Sequence, residues 1–416
     1  MTTLPSVLRG PFVALALLAV VGGVARAEEP DAAPTAPQAA RPTPSGGGTD
    51  LVATASSELS LYSDTDAVTV VTPTIAAGIE NPLSEWSVNA RYLVDVVSAA
   101  SVDIVSTASR AWHEVRHEGN LDGQFKIGDV GFGANGAVSM EGDYQSWALG
   151  GRLSYDFADK NVTALVGYAF GHDVIGKTDT PFSFFSNTVI RHSFNGAVNV
   201  VLNRSTLLAL VGDAIIESGD QSKPYRYVPM FSSGEAKRVA VGASIDYVNA
   251  HRLDERPLEQ LPPKRDRFAL TARLNHRFGD STLRLEERGY SDTWGLKAST
   301  TDVTYLYDIS PRVALGPHAR FHIQAPVEFW RLAYVSREGG ADRQIPKWRT
   351  GDRDLGPLRG LTGGGLLTIA VGPRSNPAGW VLGLTGDCIW TKYTDDLYIT
   401  DRISGFGALS LEAKFE

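Results

Sequence analysis

The chain has 416 residues, of which 43% are hydrophobic and 21% charged, and its formal net charge is −8. Its mean hydropathy of −0.11 excludes a bundle of transmembrane helices, because each such helix needs about 20 consecutive apolar residues. The acidic balance argues against nucleic acid as a partner. Cys388 is the only cysteine, so no disulfide can form within the chain.

The first 50 residues predict two segments that precede the folded domain. Arg9 is followed by an apolar stretch from Phe12 to Val24, and Ala25-Arg26-Ala27 then forms a small-x-small cleavage site. This layout is typical of a secretory signal peptide over residues 1–27; the alternative, an N-terminal helix anchor, would need a longer apolar run. Residues 28–50 are rich in Pro, Ala and Gly and predict a flexible periplasmic linker. Residues 51–416 then form the folded domain.

From residue 51 onward, apolar and polar residues alternate with a period of two, and helical periodicity is absent. The clearest segments are Trp147–Phe157, Asn161–Phe170, Arg267–Phe278 and Leu409–Phe415, and Val239–Tyr247 shows the same pattern. Alternate residues of a strand point to opposite faces, so each segment predicts a strand with one apolar and one polar face.

Alternation alone would also suit a secreted soluble β-sandwich. Three features favour a membrane barrel instead. The apolar faces often end in aromatic residues such as Tyr155 and Phe157, as expected at the two membrane interfaces. The polar faces carry long charged side chains that suit a water-filled lumen, and the chain ends on the alternating strand Leu409–Phe415. We therefore predict an all-β protein, a transmembrane antiparallel up-and-down β-barrel of about 16 strands, with a range of about 14–18.

The connections between these strands fall into two classes. Tight turns are predicted at 158–161, 202–205 and 278–281. Longer polar connections, which predict surface loops, run near 174–188, 218–235, 251–265 and 338–357. This division places three strands between Asn203 and Gly279. Because three is odd, either one of the two tight turns faces outward or one strand is wrongly assigned.

Eight charged residues and one glutamine on the predicted polar faces are candidates for a lumen lining. These residues are Arg267, Arg273, Arg277, Arg284, Glu286, Arg288, Arg320, Gln324 and Glu328. Two interpretations remain open: ion pairs that fill the interior, or a pore that prefers anions.

Two consecutive segments, Asp95–Ser101 and Asp103–Ser109, echo each other in sequence. Their small and turn-forming side chains favour a hairpin end whose two arms mirror each other. The functional alternative is a constriction folded into the lumen. The candidate residues are Asp95, Ser98, Ser101, Asp103, Ser106 and Ser109.

Metal-binding patterns are weak. His113–His117 matches H-E-x-x-H, but that chemistry needs a helix, whereas in a strand the two His would lie about 13 Å apart. Asp64 and Asp66 could contribute to a Ca²⁺ site, yet calcium needs six or more oxygens, so solvated turn acids are the simpler interpretation. We predict no metal and no cofactor, and keep His113, His117, Asp64 and Asp66 as weak candidates.

Enzymatic motifs are also missing from the sequence. It contains no G-x-S-x-G, no Walker loop and no C-x-x-C. Cys388 alternates with Trp390, which indicates an inert lipid-facing thiol rather than a nucleophile. We therefore predict that the protein is not an enzyme.

Several short segments, in order along residues 60–416, resemble an uncharacterised family of bacterial outer-membrane β-barrels known as domain of unknown function 3570. They are Tyr62–Asp66, Asp95–Ser101, Asp143–Ser146, Asp159–Thr163, Arg288–Gly295 and Arg320–Gln324, followed by Phe329-Trp330. This chain departs from the family at Gly289-Tyr290 and Phe321-His322, where two Tyr are usual, and at Pro326. The resemblance implies an outer-membrane barrel and brings no substrate, cofactor or catalytic residue.

These observations predict a channel, or a membrane scaffold for periplasmic or surface protein partners, surrounded by outer-membrane lipid. An outer-membrane enzyme acting on lipid or envelope polymer is the first alternative, but it would need a nucleophile–base pair that the spacing does not provide. A secreted soluble β-protein is the second.

Overall fold

The computed structural model describes residues 51–99, 112–337, 344–373, 376 and 379–415. Within this part of the chain, sixteen antiparallel strands close into one barrel, so the predicted fold and strand number are confirmed. The barrel strands are β1 Val52–Asp64, β2 Val68–Asn81, β3 Trp86–Ala99, β4 Trp112–Ile127, β5 Val130–Met140, β6 Tyr144–Phe157, β7 Val162–Ile175, β8 Asn187–Asn203, β9 Thr206–Gly219, β11 Lys264–Phe278, β12 Ser281–Asp292, β13 Lys297–Ser310, β14 Val313–Ala325, β16 Leu358–Ala370, β17 Trp380–Tyr393 and β18 Asp401–Phe415.

Each strand pairs with its neighbours in chain order, which gives the up-and-down topology. The barrel closes where β1 pairs with β18, in a register that runs from Ala53 opposite Phe415 to Asp64 opposite Ser404. The start of β1 and the end of β18 therefore lie at the same end of the barrel.

The two ends of the barrel differ in their connections. At one end, here called the turn end, most connections are short, and Gly279 adopts a φ of 57° in the tight turn between β11 and β12. The predicted tight turns all lie at this end. The opposite end, here called the loop end, carries the long connections 220–263 and 326–357. In outer-membrane barrels the short turns face the periplasm.

The strand faces alternate as the sequence predicts. On β11, Phe268 and Leu270 point outward and are 49% and 63% exposed, whereas Arg267 and Thr271 point to the interior. The other strands repeat this arrangement, and exposed Leu, Ile, Val and aromatic side chains surround the barrel. An apolar belt of this extent suits lipid and not water, so the alternative of a soluble β-sandwich is wrong.

One predicted strand is wrong. Val239–Tyr247 lies in the connection between β9 and β11, which contains the short strand β10 (Met230–Phe231) and the helices α1 (Ser233–Ala236) and α2 (Ile245–His251). Ser244 caps α2 by accepting a hydrogen bond from the Tyr247 backbone at 3.2 Å. Two strands therefore lie between the tight turns at 203 and 279, which resolves the odd count. Among the described residues, no helix is long and apolar enough to cross a membrane.

Candidate functional site, a capped and charge-lined interior

Two long connections pack together at the loop end. Strand β10 of the first pairs in parallel with β15 (Tyr334–Val335) of the second. Val228, Met230 and Tyr334 form a small core between the two connections and are at most 3% exposed. We call the described residues of these connections, 220–263, 326–337 and 344–357, the cap.

The cap is attached to the inner wall of the barrel. An apolar cluster joins cap residues to the β12–β13 connection and packs against Tyr290 and Ala298 of the inner wall; it consists of Leu261, Trp294, Leu296, Val327, Trp330 and Leu355. Gln324, on the inward face of β14, donates hydrogen bonds to the carbonyls of Asp354 (2.7 Å) and Gly356 (2.8 Å). The cap therefore enters the mouth of the barrel.

A buried ionic centre holds the two halves of the cap together. The Glu259 side chain has no exposed surface and accepts hydrogen bonds from Thr350 Oγ1 at 2.6 Å and from the Lys223 backbone at 3.2 Å. Arg226 lies 3.5 Å from Glu259 and also pairs with Asp352. Burial alone would raise the pKa of Asp352, but Arg226 and Lys223 hold it below its usual range.

A second ionic contact fixes the cap to the β1–β2 connection. Arg353, in the short 3-10 helix Arg353–Leu355, pairs with Asp66, and its guanidinium lies 5.5 Å from the centre of the Tyr393 ring. The neighbouring Asp64 shapes the turn by accepting the backbone N–H groups of Asp66 and Val68, each at 2.9 Å. The expectation of a solvated turn acid is therefore wrong for Asp66, which is buried against the cap.

The structure places most of the candidate lumen residues on the inward faces of β11, β12 and β14. These are Arg267, Arg273, Arg277, Arg284, Glu286, Arg288, Arg320 and Gln324. Glu328 instead lies in the cap, where its backbone N–H donates to the Trp294 carbonyl at 2.8 Å. Five of the arginines pair with carboxylates: Arg267 with Glu217 (2.6 Å), Arg273 with Glu286 (2.5 Å), Arg277 with Asp308 (2.9 Å), Arg288 with Asp213 (3.9 Å) and Arg320 with Asp302 (3.0 Å).

On the wall formed by β11 and β12, the ion pair beside the cap is less exposed than the pairs formed by Arg273 and Arg277 nearer the turn end. Near the cap, the side chains of Arg265 and Asp292 are 6% and 0% exposed. Farther down the same wall, those of Arg273 and Glu286 are 32% and 31% exposed, and the pair formed by Arg277 is exposed to a similar degree. On this wall, solvent is therefore excluded next to the cap and reaches the ion pairs nearer the turn end.

Four arginines lie together on one side of the interior, and three of them pair with carboxylates on nearby strands. We call Arg273, Arg277, Arg284 and Arg288, on the inward faces of β11 and β12, the arginine wall. Within it, Arg284 lies opposite Asn275 on β11 and Thr304 on β13, so its direct cross-strand neighbours are uncharged.

The wall opposite carries more acids than bases. Strands β2 and β3 stand eight places from β11 and β12 in the strand order, and so lie across the lumen from them. Inward carboxylates on β1 to β4 include Glu58, Glu80, Glu118 and Asp122, against the bases Arg91, Arg116 and Lys126. The inner face of β1 to β4 therefore carries a net negative formal charge, whereas arginines predominate on the inner faces of β11 and β12.

Two of the six residues of the candidate constriction, Asp95 and Ser98, lie within the described part of the chain. Asp95 points inward from β3 and accepts hydrogen bonds from Thr72 Oγ1 at 2.5 Å and Arg116 Nε at 2.6 Å. Ser98 lies on the opposite, outward face of the strand by register. Ser101, Asp103, Ser106 and Ser109 lie outside the described residues. The role of the tandem segments remains a prediction.

The H-E-x-x-H segment lies in strand β4 and not in a helix. His117 is on the outward face, where its Nδ1 lies 2.7 Å from the hydroxyl of Tyr92. At strand spacing, the backbone positions 113 and 117 lie about 13 Å apart, a spacing that does not suit the helical H-E-x-x-H zinc motif.

A different acidic cluster was missed by sequence analysis because its members are far apart in the chain. Among the described residues, Glu114, Glu141 and Asp143 each place a carboxylate oxygen within 4.8 Å of the others, a spacing that a cation could bridge. Asp143 also accepts a hydrogen bond from the cap residue Tyr225 at 2.7 Å, and burial raises the pKa of that tyrosine to about 12.

The sequence profile of the family described as "Protein of unknown function (DUF3570)" matches residues 108–374. The chain belongs to this family. The match includes the cap and the arginine wall. No curated protein matches the chain significantly.

Several solved structures are similar in fold at low sequence identity. The ferric enterobactin receptor PfeA in complex with BCV-L6 is 12% identical with a TM-score of 0.41, over 86% of this chain and 60% of that one. The siderophore receptor PirA from Pseudomonas aeruginosa is 10% identical with a TM-score of 0.41, over 86% and 61%. OccK5 (OpdH) from Pseudomonas aeruginosa is 10% identical with a TM-score of 0.42, over 88% and 99%. This chain spans about 60% of the length of the two receptors.

Proposed function

We propose that this protein is a channel in the outer membrane of Gram-negative bacteria, exported by the signal peptide at residues 1–27. Its aqueous interior opens toward the periplasm, and the cap closes its outer mouth. Small hydrophilic ions and solutes pass when the cap loosens. The arginine wall gives the open channel a preference for anions.

The observation that carries this proposal is the change in exposure along the interior. Barrels of 16 strands are wide enough to enclose an aqueous channel, and the partly exposed pair of Arg273 and Glu286 is consistent with water in the lower interior. A barrel that served only as a scaffold would have no need of solvated charges on its inner wall. On the same wall, the least exposed pair, Arg265 with Asp292, lies beside the cap, where closure requires a dry contact.

Recordings in planar lipid bilayers test the channel. The purified wild type should show rare and brief current steps, because the cap is closed most of the time. Current steps that become long-lived when the cap is loosened would support the proposal. Absence of any current from both the wild type and a cap-loosened variant, with both correctly folded, would establish a closed scaffold instead.

Replacement of Arg284 tests the selectivity. A reversal of one charge about 7 Å from the ion path changes the energy of an anion by about 0.5–1.2 kcal/mol, which corresponds to about two- to eightfold in permeability. Arg284→Glu should therefore shift the reversal potential in a salt gradient toward cations. Arg284→Lys keeps the charge and should leave it unchanged. Equal reversal potentials for the two variants would contradict a role of the arginine wall in selectivity.

The lowered pKa of Asp352 predicts that the stability of the closed cap depends on pH. Its pKa is lowered in the folded cap, so its carboxylate contributes stability that is present above its usual value of 3.8 and is lost as pH falls through the lowered value. Acidification below about pH 4 should lengthen the open events of the wild type. Asp352→Asn lacks this titration and should show a weaker change over the same range. An equally strong acid response in both proteins would exclude Asp352 as its source.

A further inference from the structure

The apolar belt is interrupted on β12 and β13. Over the part of these strands nearer the loop end, the outward positions carry polar side chains or none. We call these residues the polar notch: Glu287, Gly289 and Ser291 on β12, and Thr301, Ser299 and Lys297 opposite them on β13.

The notch lies within the height of the belt and not above it. By register, Glu287 is level with Ala272 on β11, and Thr301 with Phe321 on β14. Nearer the loop end than these positions, Leu270 on β11 and Ile323 on β14 are still outward-facing and are 63% and 39% exposed. Because apolar side chains continue on both sides, a bilayer that covers them also covers the notch.

A carboxylate in this position is unfavourable against acyl chains. Glu287 accepts hydrogen bonds from Ser299 Oγ at 2.6 Å and Thr301 Oγ1 at 2.5 Å, and both contacts are exposed on the outer surface. Two hydroxyl groups satisfy only part of the acceptor capacity of a carboxylate. A polar protein surface would suit Glu287 better than lipid does.

We propose that the polar notch is the interface through which two copies of this chain pair in the membrane. The acceptor, Glu287, lies on β12, and the donors, Ser299 and Thr301, lie on β13. A two-fold axis perpendicular to the membrane and passing between these strands places β12 of one copy against β13 of the other. The two notches then face each other at the same depth, so each carboxylate and its hydroxyl donors lie against the polar surface of the second copy and not against acyl chains.

The shape of the notch supports the same arrangement. Gly289 has no side chain and Ser291 and Ser299 have small ones, so two barrel walls can approach closely there. Lys297 adds a cation on the loop-end side of Glu287, with a flexible stem. The polar notch thus combines a hydrogen-bond acceptor, hydrogen-bond donors and a shape that permits close approach of a second barrel wall. A second copy covers the notch with an equally polar surface of matching shape, whereas acyl chains provide neither the polarity nor the fit.

Cysteine cross-linking in vesicles tests the dimer. In a Cys388→Ser background, Ser299→Cys should give a disulfide-linked dimer on oxidation as the major product. Leu121→Cys is the matched control, because Leu121 is outward-facing on β4, across the barrel from β13, and is 58% exposed. It should give dimers only at the level of random collision. Equal yields at the two positions would overturn the proposal.

A second variant removes the polar group without harming the fold. Glu287→Leu makes the belt continuous, so the barrel should remain heat-modifiable on gels while its dimer fraction in lipid nanodiscs falls at least fivefold by mass photometry. An unchanged dimer fraction, or a wild type that is monomeric in nanodiscs, would also overturn the proposal. The outcome does not depend on conductance, because the interface lies on the outer wall.

Discussion

Arg226→Met should open the channel. The substitution removes the cation that lies between Glu259 and Asp352 and leaves two buried carboxylates without their ion pair. Breaking a buried pair in this way costs about 3–5 kcal/mol, which shifts the equilibrium between closed and open cap by at least roughly a hundredfold. The barrel strands do not contain this residue, so the barrel should remain folded. Single-channel recording measures the effect directly as the open probability.

Arg238→Met provides the control for this variant. Arg238 lies in the same connection and pairs with Glu235 at 3.0 Å, but its side chain is 73% exposed. Exposed pairs contribute little to stability, so the open probability should remain that of the wild type. If Arg226→Met opened no more often than Arg238→Met, the buried ionic centre would not be what keeps the cap closed.

Leu59→Arg should destabilise the barrel strongly. Leu59 points outward near the middle of β1 and is 53% exposed, so an arginine there must face acyl chains. The cost for a cation at the midplane of a barrel is about 2–4 kcal/mol. Denaturant titration in lipid vesicles, followed by tryptophan fluorescence, measures the free energy of unfolding.

Ser63→Arg controls for the introduction of the charge. Ser63 is outward-facing on the same strand but lies near its loop end, at the membrane interface, where a cation costs about 0–1 kcal/mol. We therefore expect the free energies of unfolding of the two variants to differ by about 2 kcal/mol. Equal stabilities would mean that Leu59 does not face the interior of a bilayer.

The barrel is predictable from the sequence because the alternation of apolar and polar residues that marks each strand is local. In segments such as Arg267–Phe278, each side chain shows by its own polarity which face it occupies. The same rule failed at Val239–Tyr247. There the alternation is accidental: Val239 and Val248 pack with Phe231 and Leu397, which are distant in sequence, and Ser244 starts a helix. A short period-two pattern does not show whether a partner strand is available for pairing, and without a partner the segment does not form a strand.

Of the candidate site, only the residues on barrel strands could be predicted from the sequence. Inward arginines on β11 and β12 follow from alternation, but their carboxylate partners depend on register. The cap depends on contacts such as Arg226 with Asp352 and Arg353 with Asp66, which join different connections. No local pattern marks these residues. The same holds for Glu328, whose position in the cap is set by its bond to the Trp294 carbonyl.

The central claim is that a closed wall of strands separates lipid outside from water inside. Spin labels placed singly at positions 149–154 of β6, in a Cys388→Ser background in vesicles, test it most directly. We predict that collision with oxygen is greatest at Leu149, Gly151 and Leu153, and that collision with a water-soluble nickel complex is greatest at Gly150, Arg152 and Ser154. Loss of this alternation, or a protein that remains monodisperse without any amphiphile, would contradict the account.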